Sequence, residues 1–128
     1  MSETPLRAAI YARFSSDLQR DASIDDQIRS CRDHAARQGL EVVEIYSDRA
    51  VSGASLMRTG IQKLMRDAQA GGFQLGIAEA VDRLSRNQAD IAGLYQQFQF
   101  HGVMIETVSE GQISELHIGL TGTMNALF

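Results

Sequence analysis

This sequence lacks the features that build disulfide-linked, membrane-spanning or metal-binding proteins. Cys31 is its only cysteine, so no internal disulfide can form, which fits the reducing cytoplasm. No run of about 18 apolar residues, the length that would span a bilayer, is present, and residues 1–5 lack the basic and apolar regions of a signal peptide. We therefore expect a cytoplasmic protein without a membrane partner. Three isolated histidines and the one cysteine give no metal-ligand spacing, so we expect no metal: His34, His101 and His117.

Basic residues are also too few for a protein that binds DNA on its own. Lys and Arg number 12 against 16 Asp and Glu, for a net charge of −4, whereas DNA-binding domains usually carry a basic surface. The 128 residues, 44% hydrophobic and 22% charged, indicate one soluble globular domain. Residues 120–128 place apolar residues at helical spacing without a Gly, a Pro or a basic last turn. We therefore expect a helix truncated at Phe128, with a DNA-binding domain beyond the chain end.

Strand-like and helix-like segments alternate along the chain. A possible capping box at Ser23 and Asp26 opens the first helix, and Gly39 suits the position after its end. The alternation predicts an α/β fold with a mostly parallel sheet of four or five strands and helices on both faces. The predicted strands are residues 6–12, 40–46, 73–81 and 103–108, and the predicted helices are residues 23–38, 60–70 and 88–100.

An arginine and a serine stand two residues apart where the first predicted strand ends. Residues i and i+2 of a strand point to the same side, so Arg13 and Ser15 can share one site. Ligands of open α/β sheets bind at the carboxyl ends of the strands. A hydroxyl beside a guanidinium suits attack on a phosphate, although most loop serines only make local hydrogen bonds.

A second cluster, Asp82-Arg83-Leu84-Ser85-Arg86, follows the third predicted strand. If it begins a helical turn, Arg83 and Arg86 share one face and can bind phosphate oxygens. The alternative is a solvated helix start in which Asp82 pairs with Arg86. The position of the cluster, at a strand end near Arg13, favours a phosphate site.

These motifs resemble the catalytic domain of the serine recombinases, the resolvase/invertase family. The resemblance rests on Tyr11-x-Arg13-x-Ser15-Ser16, on Ser52-Gly53 and on residues 82–86, in this order, and runs over nearly the whole chain. It implies cleavage of DNA by a serine hydroxyl, a 5′-phosphoserine intermediate, and strand exchange within a tetramer. A large, integrase-like type is compatible with the motifs.

The resemblance also implies a role for each site residue. Ser15 is the expected nucleophile, and Asp82 is expected to orient an arginine or to help move protons. Gln27 and Ser52 match polar positions near the nucleophile, while alone they would be interpreted as a helix-surface glutamine and a loop serine. Tyr11 also matches, but an aromatic residue that ends a buried strand is more often part of the core. The arginines expected to bind the scissile phosphate are Arg13, Arg58, Arg83 and Arg86.

The expected partner is double-stranded DNA, bound through the full-length protein as a homodimer or tetramer. No small-molecule cofactor is expected, because there is no Gly-x-x-x-x-Gly-Lys-Ser/Thr loop and a phosphoserine bond conserves the energy of the broken linkage. Two other classes remain open. One is a catalytically silent interaction domain of the same fold, and the other is a small phosphoesterase or flavodoxin-like binding domain.

Overall fold

The computed structural model describes residues 6–13, 21–48, 59–84 and 88–113 of the 128-residue chain. Strands and helices alternate through most of these ranges. In chain order they are β1 (Arg7–Arg13), α1 (Asp21–Arg37), β2 (Glu41–Asp48), α2 (Thr59–Gln69), β3 (Leu75–Ala78), α3 (Val81–Leu84), α4 (Gln88–Phe100), β4 (Met104–Thr107) and β5 (Gly111–Gln112).

The strands form a single five-stranded sheet in the order β2-β1-β3-β4-β5. The first four strands are parallel to one another, and β5 pairs antiparallel with β4. The predicted α/β class with a mostly parallel sheet is therefore confirmed. The two-residue β5 was not predicted, because it carries no hydrophobic pattern of its own and depends on the turn at Gly111, where φ is 76°.

Each face of the sheet has its own hydrophobic core. Alternate residues of a strand point to opposite faces, so Ala8 and Ile10 pack under α1, while Ala9 and Tyr11 pack under α2 and α4. The helices thus cover both faces, as predicted. The core under α2 and α4 contains the larger side chains: Ile61, Leu64, Phe73, Leu94 and Phe98.

The predicted bounds of α1 and β3 are wrong in ways that change the interpretation of single residues. Helix α1 begins at Asp21, so Ser23 lies inside the helix and is not its N-cap. Strand β3 covers Leu75–Ala78 rather than 73–81, which leaves Glu79 in the turn that follows the strand.

The predicted end of α1 at Gly39 is confirmed. Its φ of 70° is in the left-handed region that favours glycine. The amide of Leu40 then donates to the carbonyl of Ala35 at 2.9 Å, which closes the last turn of the helix.

Within the described parts of the chain, none of the helices has the length and apolar character needed to cross a membrane.

Candidate functional site

The carboxyl ends of β1 and β3 bring two of the predicted site residues together. Arg13 is the last residue of β1, and β3 pairs directly with β1 and leads through a short turn into α3, which carries Arg83. The Nε of Arg13 donates to the carbonyl oxygen of Arg83 at 3.1 Å. In return, Nη1 of Arg83 lies 3.4 Å from the carbonyl oxygen of Arg13. The expected proximity of the two motifs is confirmed for this pair of arginines.

Gln27 of α1 holds the backbone of Arg13 with two hydrogen bonds. Its Oε1 accepts from the Arg13 amide at 3.1 Å, and its Nε2 donates to the Arg13 carbonyl at 3.0 Å. Gln27 is only 1% exposed, so the interpretation as a helix-surface glutamine is wrong. Both polar groups of the buried amide are satisfied by one residue, which fixes the position from which the Arg13 side chain extends.

Glu79 adds a carboxylate to the site. Its Oε1 lies 3.4 Å from Nε of Arg83, one helical turn further along the chain. The two side chains are 34% and 26% exposed, so water screens the pair and its contribution to stability is small. The contact does limit the directions in which the Arg83 guanidinium can point.

Burial distinguishes the two arginines. Arg13 is 1% exposed, while the side chain of Arg83 is 26% exposed. A guanidinium stays protonated even when buried, so the positive charge of Arg13 acts where water screens it weakly. Arg83 is the one of the two that a large ligand can reach directly.

Asp48 joins three elements at the same edge of the sheet. It ends β2, next to β1, and its Oδ2 accepts from the Tyr11 hydroxyl at 2.6 Å. The same carboxylate accepts from the amides of Gly60 at 2.8 Å and Ile61 at 3.0 Å, the first turn of α2. Tyr11 is 1% exposed and belongs to the core, in agreement with its sequence-based interpretation. Asp48 therefore fixes where the chain enters α2 after residues 49–58.

Several predicted site residues lie outside the described residues. Asp82 belongs to α3, but its side chain is not among those described. The predicted residues wholly outside the described ranges are Ser15, Ser52, Arg58 and Arg86.

In the described ranges, no cluster of three or more histidine, cysteine or acidic side chains is placed to hold a metal ion.

Sequence reasoning missed Asp48 and the burial of Gln27. Gln27 had a detectable signal, because it lies three residues after Ile24 and four before Cys31, both buried in α1. Its position on the buried face of α1 could therefore have been predicted from the sequence. Asp48 had only a weak signal, a carboxylate at a strand end shortly before a helix.

Comparison with known proteins identifies the family. The sequence matches the family described as "Resolvase, N terminal domain" over residues 8–127, and the chain belongs to this family. The transposon Tn3 resolvase of Escherichia coli is 34% identical over 101 residues, which cover 79% of this chain and 49% of the relative. The R46 site-specific recombinase of Escherichia coli is 30% identical over 109 residues, 85% of this chain and 52% of the relative. The chain spans about half the length of these curated relatives.

Solved structures agree with this assignment. The N-terminal catalytic domain of TP901-1 integrase is 28% identical with a TM-score of 0.83, covering 94% of this chain and 95% of that one. The C-terminal catalytic domain of ISC1926 TnpA, an IS607-like serine recombinase, is 27% identical with a TM-score of 0.75, covering 95% and 80%. The fold is that of serine recombinase catalytic domains, and the resemblance stated from the motifs is confirmed.

Proposed function

We propose that this chain is the catalytic domain of a site-specific DNA recombinase in which Ser15 attacks a backbone phosphate. The observation that carries the proposal is the mutual contact of Arg13 and Arg83 at the carboxyl edge of the sheet. The guanidinium of each arginine contacts the backbone carbonyl of the other, so arginines from two different elements lie side by side there. Arg13 is two residues before Ser15 in the sequence. Guanidinium groups match phosphate oxygens and stabilise the negative charge that develops in the transition state.

The proposed reaction is a transesterification. A bond forms between Oγ of Ser15 and phosphorus, and the bond between phosphorus and the 3′ oxygen breaks. The serine hydroxyl loses its proton and the 3′ oxygen gains one, with Asp82 as the group that orients an arginine or helps to move the proton. Attack by the 3′ hydroxyl of another strand reverses these steps and releases Ser15, so the phosphate bond is conserved without ATP.

The other site residues have supporting roles in this proposal. Arg83, the more exposed of the two described arginines, meets the scissile phosphate first. Arg13 is buried beside Arg83, so its positive charge acts on the phosphate where water screens it weakly. Gln27 holds Arg13. Arg58, Arg86 and Ser52 complete the site by resemblance to the family.

DNA affinity is proposed to come mainly from outside these 128 residues. The net charge of −4 is unfavourable for binding a polyanion over many phosphates. The curated relatives are about twice as long as the part that matches, which leaves room for a DNA-binding region. The functional unit is proposed to be a cytoplasmic homodimer or tetramer of the full-length protein on double-stranded DNA.

The test is the covalent protein–DNA adduct, which this mechanism forms and which a small phosphoesterase or a catalytically silent domain would not form. Full-length protein is incubated with its recombination site, carrying a nick that prevents religation, and protein–DNA adducts are resolved on a denaturing gel. Ser15→Ala should abolish the adduct without weakening DNA binding, and the matched control Ser16→Ala should retain it. Adduct formation by Ser15→Ala at the wild-type level would place the nucleophile elsewhere. Turnover of small phosphate esters without any adduct would instead favour a phosphoesterase.

A further inference from the structure

The turn between β4 and β5 reaches back to the start of α3. This turn contains Glu110, whose Oε1 accepts from the Val81 amide at 3.2 Å. The hydroxyls of Ser109 and Thr107 lie 3.2 and 3.3 Å from the same oxygen. Glu110 thus joins two segments that are 29 residues apart in the chain.

The turn itself is firmly attached to the sheet. Thr107 is fully buried, and its Oγ1 accepts from the Glu110 amide at 2.9 Å. The amides of Val108 and Ser109 donate to the carbonyls of Ala78 and Glu79, at 3.0 and 3.1 Å. The backbone that carries Glu110 is therefore fixed relative to the end of β3.

Helix α3 needs such external support. It has four residues, and the first four amides of any helix have no partner inside the helix. Val81 is its first residue, and Glu110 supplies the acceptor for that amide. Two residues later comes Arg83, whose carbonyl accepts from Arg13 and whose guanidinium contacts the Arg13 carbonyl.

We propose that Glu110 is a positioning residue that sets the place of α3, and through it the guanidinium of Arg83, for the reaction. The inference deepens the proposed function and rests on it. A carboxylate accepting from a backbone amide makes a stronger hydrogen bond than a neutral acceptor. Catalysis by charged groups is sensitive to shifts of a fraction of an ångström in their positions. Loss of the contact between Glu110 and Val81 therefore slows the reaction, although Glu110 itself does not touch DNA.

The test uses two variants of Glu110 and a control in the same turn. Glu110→Ala removes the acceptor, while Glu110→Gln keeps an oxygen at the same reach. Ser109→Ala removes one hydroxyl from the carboxylate but leaves the contact with Val81. Hydrogen exchange of the Val81 amide is measured in residues 1–128, and the single-turnover cleavage rate and the DNA Kd are measured in the full-length protein.

We expect Glu110→Ala to speed exchange of the Val81 amide while Ile77 in β3 keeps its protection. Cleavage should slow roughly tenfold, less than the roughly hundredfold cost of a 1 Å misplacement, because Glu110 is exposed and water partly replaces it. The DNA Kd should not change. Glu110→Gln should recover most of the rate, and Ser109→Ala should behave like wild type.

Several results would overturn the inference. Unchanged exchange at Val81 in Glu110→Ala would show that the carboxylate does not hold α3. Faster exchange with an unchanged cleavage rate would show that the contact does not serve catalysis. If Glu110→Ala fails to fold, Glu110→Asp replaces it, because the shorter side chain keeps the charge but no longer reaches the Val81 amide. The same exchange and cleavage measurements then test the inference. If the wild-type protein forms no adduct, the proposed function itself fails, while the exchange data still report on the contact.

Discussion

Replacing Gly60 by alanine is expected to disturb the junction that Asp48 makes between β2 and α2. A Cβ at this position would lie 2.5 Å from the carbonyl oxygen of Ser47 and 2.7 Å from Oδ2 of Asp48. Neither atom can move away freely. Ser47 pairs with Ala12 in the sheet, and the Asp48 carboxylate already binds Tyr11, Gly60 and Ile61.

The magnitude follows from these contacts. Overpacking a filled site costs about 1–3 kcal/mol, and losing a hydrogen bond to a charged acceptor costs about 1.5–3 kcal/mol. Alanine recovers about 1 kcal/mol of helix propensity relative to glycine. We therefore expect Gly60→Ala to lower the free energy of unfolding by about 2–4 kcal/mol.

Gly93→Ala is the matched control. Gly93 lies inside α4, and nothing comes within 4 Å of a Cβ built there. The same substitution should therefore raise the free energy of unfolding by about 0.5–1 kcal/mol. Urea unfolding of residues 1–128, followed by circular dichroism, measures both changes. Equal effects of the two substitutions, or a stabilised Gly60→Ala, would refute the reasoning about the Asp48 junction.

Three further predictions concern pH, metal and DNA. Burial, with a smaller effect of the Glu79 charge, raises the pKa of the Cys31 thiol to about 12. In the unfolded chain the thiol ionises with a pKa of about 8.5, so the free energy of unfolding is unaffected below that pH and falls above it. The expected decrease is about 2 kcal/mol at pH 10. Urea unfolding from pH 7 to 10 should show this decrease in wild type but not in Cys31→Ala, and parallel curves would contradict it. Cleavage by the full-length protein should survive excess EDTA, since the proposed arginines supply the charge stabilisation; a strict need for Mg²⁺ would favour a nuclease. Residues 1–128 alone should bind DNA no tighter than about 10⁻⁶ M in a gel shift at physiological salt, and tight sequence-specific binding would show that the domain reads DNA by itself.

The sequence predicted the sheet and the meeting of β1 with α3 for a simple physical reason. Buried parallel strands and amphipathic helices leave periodic patterns, and right-handed crossovers then bring the carboxyl ends of the strands to one edge. Arg13 ends β1 and Arg83 follows β3, and these two strands are neighbours in the sheet. Their proximity could therefore be expected without any knowledge of side-chain contacts.

The supporting contacts could not be predicted in the same way. The contacts of Asp48 with Tyr11 and of Glu110 with Val81 span 37 and 29 residues, respectively. No periodic pattern records such pairs, because each depends on the positions of two distant backbone segments. The short β5 was missed for a related reason, since its pairing with β4 follows from the turn rather than from hydrophobic alternation.

The central claim, that Ser15 carries the covalent bond to DNA, is tested most directly by locating that bond. Adducts of the full-length protein with a nicked recombination site are digested with nuclease and protease, and the modified peptide is sequenced by mass spectrometry. We expect one nucleotide linked through its 5′ phosphate to the hydroxyl of Ser15. Attachment at Ser16 or at any other residue, or cleaved DNA with no attached protein, would contradict the claim.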